Sequence, residues 1–283
     1  MIKSKASMQI ANKLIIAMAN YLCKFRGNPF IDSIENICDL FHRKINNVNF
    51  DLNSNGELRV LQILSKYDFK IFFDVGANKG DWSKLVLSIF PEKATTIYTF
   101  EVVPQTFNSL TQYANNHENI VAVNKGLSNK EETISINLGK NSVTATACKI
   151  NGMKFHADYY DKVVRCQTIK AKDYMILNQI NNVDFVKIDV EGMDLKVIKG
   201  FEEQLRNIKV IQFEYGIFNI SSHDLLIDFY NYLRKMGFVV GKIFPRYVNF
   251  FEYHFNMENF HGSNFIAVRE NETEIIKALG NSS

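Results

Sequence analysis

Two different hydrophobic patterns divide this chain of 283 residues. In residues 1–66 the apolar residues recur at helical spacing, with a polar break at residues 46–56, which predicts a helical N-terminal extension. From Phe69 onward, short apolar runs alternate with amphipathic segments. That alternation is typical of strands and helices taken in turn, and it favours a mostly parallel sheet with helices on both faces. We therefore predict an α/β domain over residues 67–283.

The predicted strands follow the apolar runs. Five of them form the parallel part of the sheet: Ile71–Val75, Thr96–Glu101, Ile120–Lys125, Val183–Val190 and Val210–Glu214. Two later runs are predicted to close the sheet as an antiparallel pair: Phe238–Phe244 and Asn264–Val268. An added hairpin segment, Thr133–Leu138, and a short strand, Val163–Ile169, flank a polar segment at 139–160 that has no recognisable pattern.

Composition and charge narrow the class of protein. A hydrophobic content of 46% is that of a globular protein, and a net charge of +3 does not indicate a nucleic-acid surface. Enzymes that methylate the exocyclic amines of bases commonly use an N/D-P-P-Y/F turn, and RNA cytosine-C5 enzymes commonly use a Pro-Cys nucleophile. None of the four prolines here adjoins another or precedes a cysteine, which disfavours both classes. The four cysteines show no C-x-x-C pair, so we expect reduced thiols in a cytoplasmic protein.

The N-terminus carries basic residues around an apolar run, Ile10 to Leu22. The run is too short, and too often interrupted by polar residues, to span a bilayer. We expect an amphipathic helix that either packs on the main domain or rests on a membrane surface as a peripheral contact. The oligomeric state is not indicated by the sequence.

The most informative stretch is IFFDVGANKGD, residues 71–81. A buried strand ends in Asp74, a tight turn follows with Gly76 and Gly80, and a helix begins at once. Glycines let the backbone approach a ligand closely, whereas the acid would repel a pyrophosphate. A nucleoside with a cationic amino-acid tail fits this turn better than a dinucleotide, and S-adenosylmethionine matches that description.

A second acid strengthens this interpretation. The next strand ends in Glu101, where a carboxylate can hold both ribose hydroxyls of a bound nucleoside. The two signals together therefore predict a nucleoside cofactor site at the carboxyl ends of these strands.

Further acids follow two later strands. Lys187 and Asp189 share one face of VDFVKIDVEG, and Glu191 follows at the start of the next helix. Glu214 ends the strand VIQFEYG. We predict that these carboxylates meet at the rim of the sheet. There they either act as a general base, with one pKa raised by the other, or hold a divalent cation such as Mg²⁺; both hypotheses stay open.

The aromatic-rich segment from Arg246 to Phe260 also allows two interpretations. It is either a lid over a sugar ring or an apolar connection packed on the sheet.

These motifs resemble, in order, the FkbM family of methyltransferases. The matching pieces are DVGANKG, FEVVP, KGLS, KIDVEGMDLKVIKG and QFEYG, and the lead-in NGELRVLQIL is similar as well, so the resemblance spans roughly residues 55 to 268. It implies a class I methyltransferase fold, Rossmann-like, with a seven-stranded sheet whose last strand is antiparallel. It also implies a cofactor site for S-adenosylmethionine formed by the following residues: Asp74, Gly76, Ala77, Asn78, Gly80, Glu101, Val102 and Ser128.

The resemblance implies O-methylation, often of sugar hydroxyls. We therefore expect an enzyme that methylates a hydroxyl on a glycan or glycolipid precursor, with Asp189, Glu191 and Glu214 as catalytic residues and no nucleic-acid partner. Two alternatives remain. One is a methyltransferase of a small metabolite or a protein, and the other is a non-catalytic binding protein with the same fold.

Overall fold

The computed structural model describes residues 2–90, 94–139, 145–148 and 160–281. Contacts divide the chain into two units, Met1–Asn46 and Asn47–Ser283. The boundary lies at 46/47 rather than at the expected 66/67, because residues 47–66 make their contacts with the sheet. The polar segment at 139–160 lies mostly outside the described residues.

The first unit consists of two helices, α1 (Ile2–Leu22) and α2 (Pro29–Ile45). The start of α2 is fixed by its sequence, since Asn28 accepts a hydrogen bond from the Phe30 amide at 2.9 Å and Pro29 occupies the first turn. No described side chain between residues 8 and 45 is buried.

Among the residues that the structure describes, none of the helices has the length and apolar character needed to cross a bilayer.

The second unit contains eight helices and twelve strands among its described residues. In chain order the strands are β1 (Ile71–Val75), β2 (Thr96–Phe100), β3 (Ile120–Val123), β4 (Gly126–Ser128), β5 (Thr133–Gly139), β6 (Ala145–Thr146), β7 (Tyr160–Lys170), β8 (Val183–Ile188), β9 (Ile208–Tyr215), β10 (Phe238–Ile243), β11 (Val248–Phe250) and β12 (Ser263–Arg269). The helices are α3 (Glu57–Leu64), α4 (Asp81–Ile89), α5 (Pro104–Ala114), α6 (Ala171–Leu177), α7 (Asp194–Gly200), α8 (Phe218–Ser222), α9 (Leu226–Lys235) and α10 (Thr273–Gly280).

The main sheet has the strand order β11-β10-β12-β9-β8-β1-β2-β3. The five strands from β9 to β3 are parallel, and β12 is inserted antiparallel between β9 and β10. The predicted α/β class and the antiparallel pairing of the last two predicted strands are confirmed. The predicted count of seven strands is wrong, because the chain turns back after β10 and adds β11 at the edge. This strand has three residues, too few to give a recognisable alternation.

A smaller sheet of four strands, in the order β4-β7-β5-β6, lies in the connection between β3 and α6. Its main contact is the antiparallel pair β5–β7, which runs from Thr133 opposite Gln167 to Leu138 opposite Lys162. The two added strands predicted from the sequence therefore pair with each other.

The main sheet is covered on both faces, as the apolar runs predict. One face packs against α3, α4 and α10, through side chains such as Leu64, Trp82 and Leu279. The other packs against α6, α7 and α9, with Phe229 stacked on Phe213 at a centroid distance of 4.8 Å. Burial of this apolar area, at roughly 25 cal/mol per Å², is the main force that holds the layers together.

The aromatic-rich segment before β12 packs largely on the core. Phe251, Tyr253, Met257 and Phe260 lie against the core on the α9 side, and Glu258 accepts hydrogen bonds from the backbone amides of the first turn of α9. Glu258 also accepts from the hydroxyl groups of Tyr215 and Tyr253. These contacts support the interpretation of this segment as a packed connection.

Candidate active site

The α3 face of the sheet changes character along each strand. Near the amino ends it is apolar, with Phe72 on β1, Phe185 on β8 and Val210 on β9. Two residues further along, the same face carries Asp74, Lys187 and Gln212, which are neighbours in register. Two residues further again come Gly76, Asp189 and Glu214. The polar residues predicted from separate strands are therefore brought to one rim.

The glycine turn is held by backbone contacts on both sides. The amides of Gly76 and Ala77 both donate to the Phe100 carbonyl at 2.9 Å, and the Asp189 amide donates to the Val75 carbonyl at 2.9 Å. Gly76 has φ +82°, and a Cβ there would lie 1.9 Å from the Asp189 carbonyl oxygen. Only glycine fits at this position, because the turn passes directly beside the end of β8.

Glu101 fixes the other side of the turn. Its carboxylate accepts from the Asn78 amide at 2.9 Å and from the Val103 amide at 2.8 Å. Burial raises its pKa to about 7 against the opposing effect of these two bonds. Glu101 therefore joins the turn after β1 to the segment after β2, with Gly80 closing the turn at the start of α4.

Asp74 lies beneath the turn and is fully buried. Ser83 Oγ donates to Asp74 Oδ2 at 2.6 Å, whereas Oδ1 has no hydrogen-bond partner within the described part of the chain. Burial raises the pKa of Asp74, and the nearby Lys187 ammonium opposes that shift. An unpaired buried carboxylate oxygen is unfavourable, so this position favours a nearby cation.

Lys187 and Asp189 form an ion pair in the centre of the rim, with Nζ 3.0 Å from Oδ2. Burial alone would lower the pKa of Lys187, but the surrounding charges of Asp189 and Asp74 keep it above its ordinary value. The Lys187 side chain is 8% exposed and that of Asp189 is 34% exposed. Asp189 is therefore held by a buried ammonium and remains accessible from outside.

Three more acids surround Asp189. Burial raises the pKa of Glu191 to about 8 and that of Asp194 to about 7, with a further contribution from the negative charge of Asp189. Burial and the negative charges of Asp189, Glu191 and Asp194 raise the pKa of Glu214 well above its ordinary value. Glu191 adopts a positive φ of 53°, and Asp194 Oδ1 accepts from the Glu214 amide at 3.1 Å. The rim thus holds several carboxylates against the single charge of Lys187.

A buried amide network supports this cluster from the α3 side. Glu57 is 3% exposed and accepts from the side-chain amides of Asn55 at 2.6 Å, Gln212 at 2.6 Å and Asn264 at 3.0 Å. Asn264 lies opposite Glu214 in register. The start of α3 is therefore fixed to β9 and β12 directly beside the acidic rim.

The sequence did not single out Glu57, Asp194, Gln212 and Asn264, although signals for three of them were present. Gln212 is an amide inside an otherwise apolar strand, the same signal that pointed to Lys187. Asp194 is the acid that follows KIDVEG, and Glu57 lies in the NGEL lead-in.

The described contacts of two other predicted cofactor residues are with the smaller sheet and α7. Val102 packs against Gly126, whose added Cβ would lie 3.4 Å from Val102 Cγ2. Ser128 is buried in β4 of the smaller sheet, with its carbonyl against Gly200 of α7. The described contacts do not bring Ser128 to the glycine turn, so its role as a cofactor residue stays a prediction.

The described residues contain no group of three His, Cys, Asp or Glu side chains arranged to hold a metal ion. The arrangement they do form is a cation-attracting rim with one accessible, anchored carboxylate and neighbours whose raised pKa values suit proton transfer near neutral pH.

Similarity to known proteins agrees with this geometry. The hexuronic acid methyltransferase AglP of Haloferax volcanii is 25% identical over 159 residues, which are 55% of this chain and 61% of that protein. The chain thus spans about three fifths of the curated relative that it matches.

Two solved structures are similar at low identity. The methyltransferase FkbM from Methylobacillus flagellatus KT has a TM-score of 0.46 and 13% identity, over 71% of this chain and 44% of that one. The N-terminal domain of human METTL16, in complex with SAH, has a TM-score of 0.41 and 14% identity, over 77% and 70%.

The decisive match is to a family model. The model described as the Methyltransferase FkbM domain matches residues 74–240, from the acid beneath the glycine turn to β10. Because this match covers well over half of the chain, the protein belongs to the FkbM methyltransferase family.

Proposed function

We propose that this protein is an S-adenosylmethionine-dependent O-methyltransferase that acts on a hydroxyl of a sugar in a glycan or glycolipid precursor. The observation that carries the proposal is the excess of carboxylates around a glycine turn. Asp74, Glu101, Glu191 and Glu214 all have raised pKa values, mainly through burial, and only part of their charge is offset by Lys187. A ligand with a sulfonium and an ammonium group would relieve that repulsion, whereas a diphosphate would increase it.

The residues present fit this cofactor in distinct ways. S-adenosylmethionine, when bound, supplies an electrophilic methyl group. The turn from Gly76 to Gly80 lets the backbone lie against it. Glu101 keeps two backbone segments aligned, and we assign its remaining acceptor capacity to the ribose hydroxyls. Asp74 is buried, so it acts on the cofactor's ammonium as a charge beneath the turn, through water or across the backbone.

The remaining acids serve the acceptor. The Asp189 side chain is 34% exposed, and the ion pair with Lys187 fixes its orientation. We assign it to hold the acceptor hydroxyl by a hydrogen bond. We assign Glu191 as the proton acceptor, because burial and the charges of Asp189 and Asp194 raise its pKa to about 8. Alignment of the oxygen and removal of its proton are the two things that methyl transfer requires of the protein.

Two features support a sugar as acceptor. The name of the relative AglP states activity on a hexuronic acid, and the acidic rim suits hydrogen bonds to several hydroxyl groups. A small metabolite or a protein side chain is the alternative acceptor. A non-catalytic binding role is less well supported, because it gives no reason for several carboxylates with raised pKa values beside one glycine turn.

The proposal is tested by calorimetry and by transfer of a labelled methyl group. We expect S-adenosylmethionine to bind more tightly than NAD, and label to pass to one or more members of a panel of hexose and hexuronic acid glycosides. Asp189→Asn should bind the cofactor but transfer little label. Absence of S-adenosylmethionine binding would refute the function, whereas binding with transfer only to non-sugar hydroxyls would favour the alternative acceptor.

A further inference from the structure

The order of the strands along the rim leaves one side of it for the acceptor. The cofactor turn occupies the ends of β1 and β2, Asp189 follows β8, and Glu214 lies on β9. The next strand along the rim is β12, which begins at Ser263. If the proposed function is correct, the acceptor must therefore approach over the end of β9 and the start of β12, because the cofactor covers the other side.

Phe50 lies on that side. A Cβ added to Gly262, directly before β12, would lie 3.9 Å from Cε1 and 4.0 Å from Cζ of the Phe50 ring. Gly262 in turn donates to the carbonyl of Tyr215, the residue after Glu214, at 3.2 Å. The Phe50 ring is therefore next to the backbone that carries Glu214.

Two glycines bring the backbone close together beside this ring. Gly216 follows the end of β9, and a Cβ there would lie 2.7 Å from the Gly262 Cα. The Gly262 backbone therefore packs directly against the residue that follows Tyr215, and neither glycine places a side chain beside the Phe50 ring.

The loop that carries Phe50 is firmly held. Asp51 accepts from the Asn53 amide at 3.1 Å and from Ser54 Oγ at 2.6 Å. The buried Asn47 donates to the carbonyls of Asn55 at 2.7 Å and Ile243 at 2.9 Å. Phe50 is nevertheless 75% exposed. The ring is thus presented to solvent by an ordered loop, which keeps the entropic cost of covering it with a ligand low.

We propose that Phe50 is the platform for the acceptor's sugar ring and so determines specificity for carbohydrate. One face of a pyranose presents C–H groups, which pack on an aromatic ring, while its hydroxyl groups project from the edge. With the ring on Phe50, those hydroxyl groups would face Glu214 and, beyond it, Asp189. This inference rests on the proposed function and names the residue that selects the acceptor class.

The test is saturation-transfer NMR with enzyme saturated with S-adenosylhomocysteine. The probes are the methyl glycosides of glucose, galactose, mannose and glucuronic acid. Phe50→Ala is compared with Phe50→Trp, and Phe255→Ala serves as the matched control because Phe255 is a similarly exposed phenylalanine, at 71%.

We expect saturation to reach the C–H protons of at least one glycoside in the wild type, in Phe50→Trp and in Phe255→Ala. In Phe50→Ala the effect should fall at least about fivefold, with unchanged cofactor affinity and melting temperature. Equal binding by wild type and Phe50→Ala would overturn the proposal. Wild-type protein that binds S-adenosylhomocysteine but no glycoside would also overturn the proposal. Wild-type protein that does not bind S-adenosylhomocysteine would instead refute the proposed function itself.

Discussion

Replacement of Glu101 by glutamine tests the electrostatic basis of cofactor binding. The carboxyl of Glu101 has a pKa of about 7 in the folded protein, mainly because it is buried. Below that pH the carboxyl is largely protonated, so the binding free energy of a cationic ligand must also cover the deprotonation of Glu101. At about pH 5.5 this deprotonation costs about 2 kcal/mol, which lowers the affinity about 30-fold relative to about pH 8.5.

Glu101→Gln removes this contribution. The titration of the ligand itself affects both proteins equally. The difference between wild type and variant therefore isolates the contribution of the Glu101 carboxyl to the pH dependence of affinity. We expect calorimetry to show that S-adenosylmethionine affinity rises between about pH 5.5 and about pH 8.5 by a factor that is about 30-fold smaller in the variant than in the wild type. The variant should also be less stable by about 1–3 kcal/mol at every pH, since one of the two backbone amides now faces an NH₂ group in the free and in the bound protein.

The stability of the free protein gives a second measurement. Because the folded-state pKa is raised above 4.5, Glu101 stabilises the fold when protonated, and its contribution is lost as pH rises from about 4.5 through about 7. The total is about 3 kcal/mol in the free energy of unfolding, and the variant should lack it. If wild type and variant show the same pH dependence in both affinity and stability, Glu101 does not titrate in this range and the electrostatic argument is wrong.

Three further predictions follow from the site and the helices. Asp189→Asn should lower turnover at least about 100-fold, because the charge that holds and orients the acceptor hydroxyl is lost and the Lys187 ammonium loses its partner, while S-adenosylmethionine affinity changes little in calorimetry; wild-type turnover would make Asp189 structural. If the carboxylates act as a general base, exhaustive chelation should leave methyl transfer unchanged, whereas a loss of transfer that Mg²⁺ restores would show that they hold a cation. The first 31 residues contain five basic residues and no acid. If the N-terminal helix rests on a membrane surface and not on the main domain, the full-length chain should sediment with anionic vesicles at low salt and be released as salt rises. Deletion of residues 1–26 should abolish sedimentation and spare cofactor binding, whereas full-length protein that ignores the vesicles would argue against a membrane contact.

Much of the site could be predicted because its residues break a local pattern. A parallel central strand is normally apolar on both faces, so an acid or a lysine in it is conspicuous. Asp74, Lys187 and Glu214 were found in this way, and strand ends that share one edge of a sheet bring them together. The glycine turn was found because a tight turn between a strand and a helix has its own sequence signature.

What escaped prediction depends on contacts between distant segments. Nothing local shows that Glu57, in a helix near the start of the chain, meets Gln212 and Asn264. Phe50 gave no signal either, since one aromatic residue in a polar loop is unremarkable until its neighbours are known. The boundary at residue 46 and the edge strand β11 were missed for the same reason, because each is defined by pairing and not by periodicity.

The Glu57 network also has a consequence for how the protein is made. Glu57 is separated along the chain by 155 residues from Gln212 and by 207 from Asn264. Because β12 inserts between β9 and β10, the interior of the sheet remains open until nearly the whole chain has been synthesised. Contacts this far apart close large loops, and they form slowly and late. The acidic rim therefore lacks the support of Asn264 in any nascent chain that has not yet reached β12.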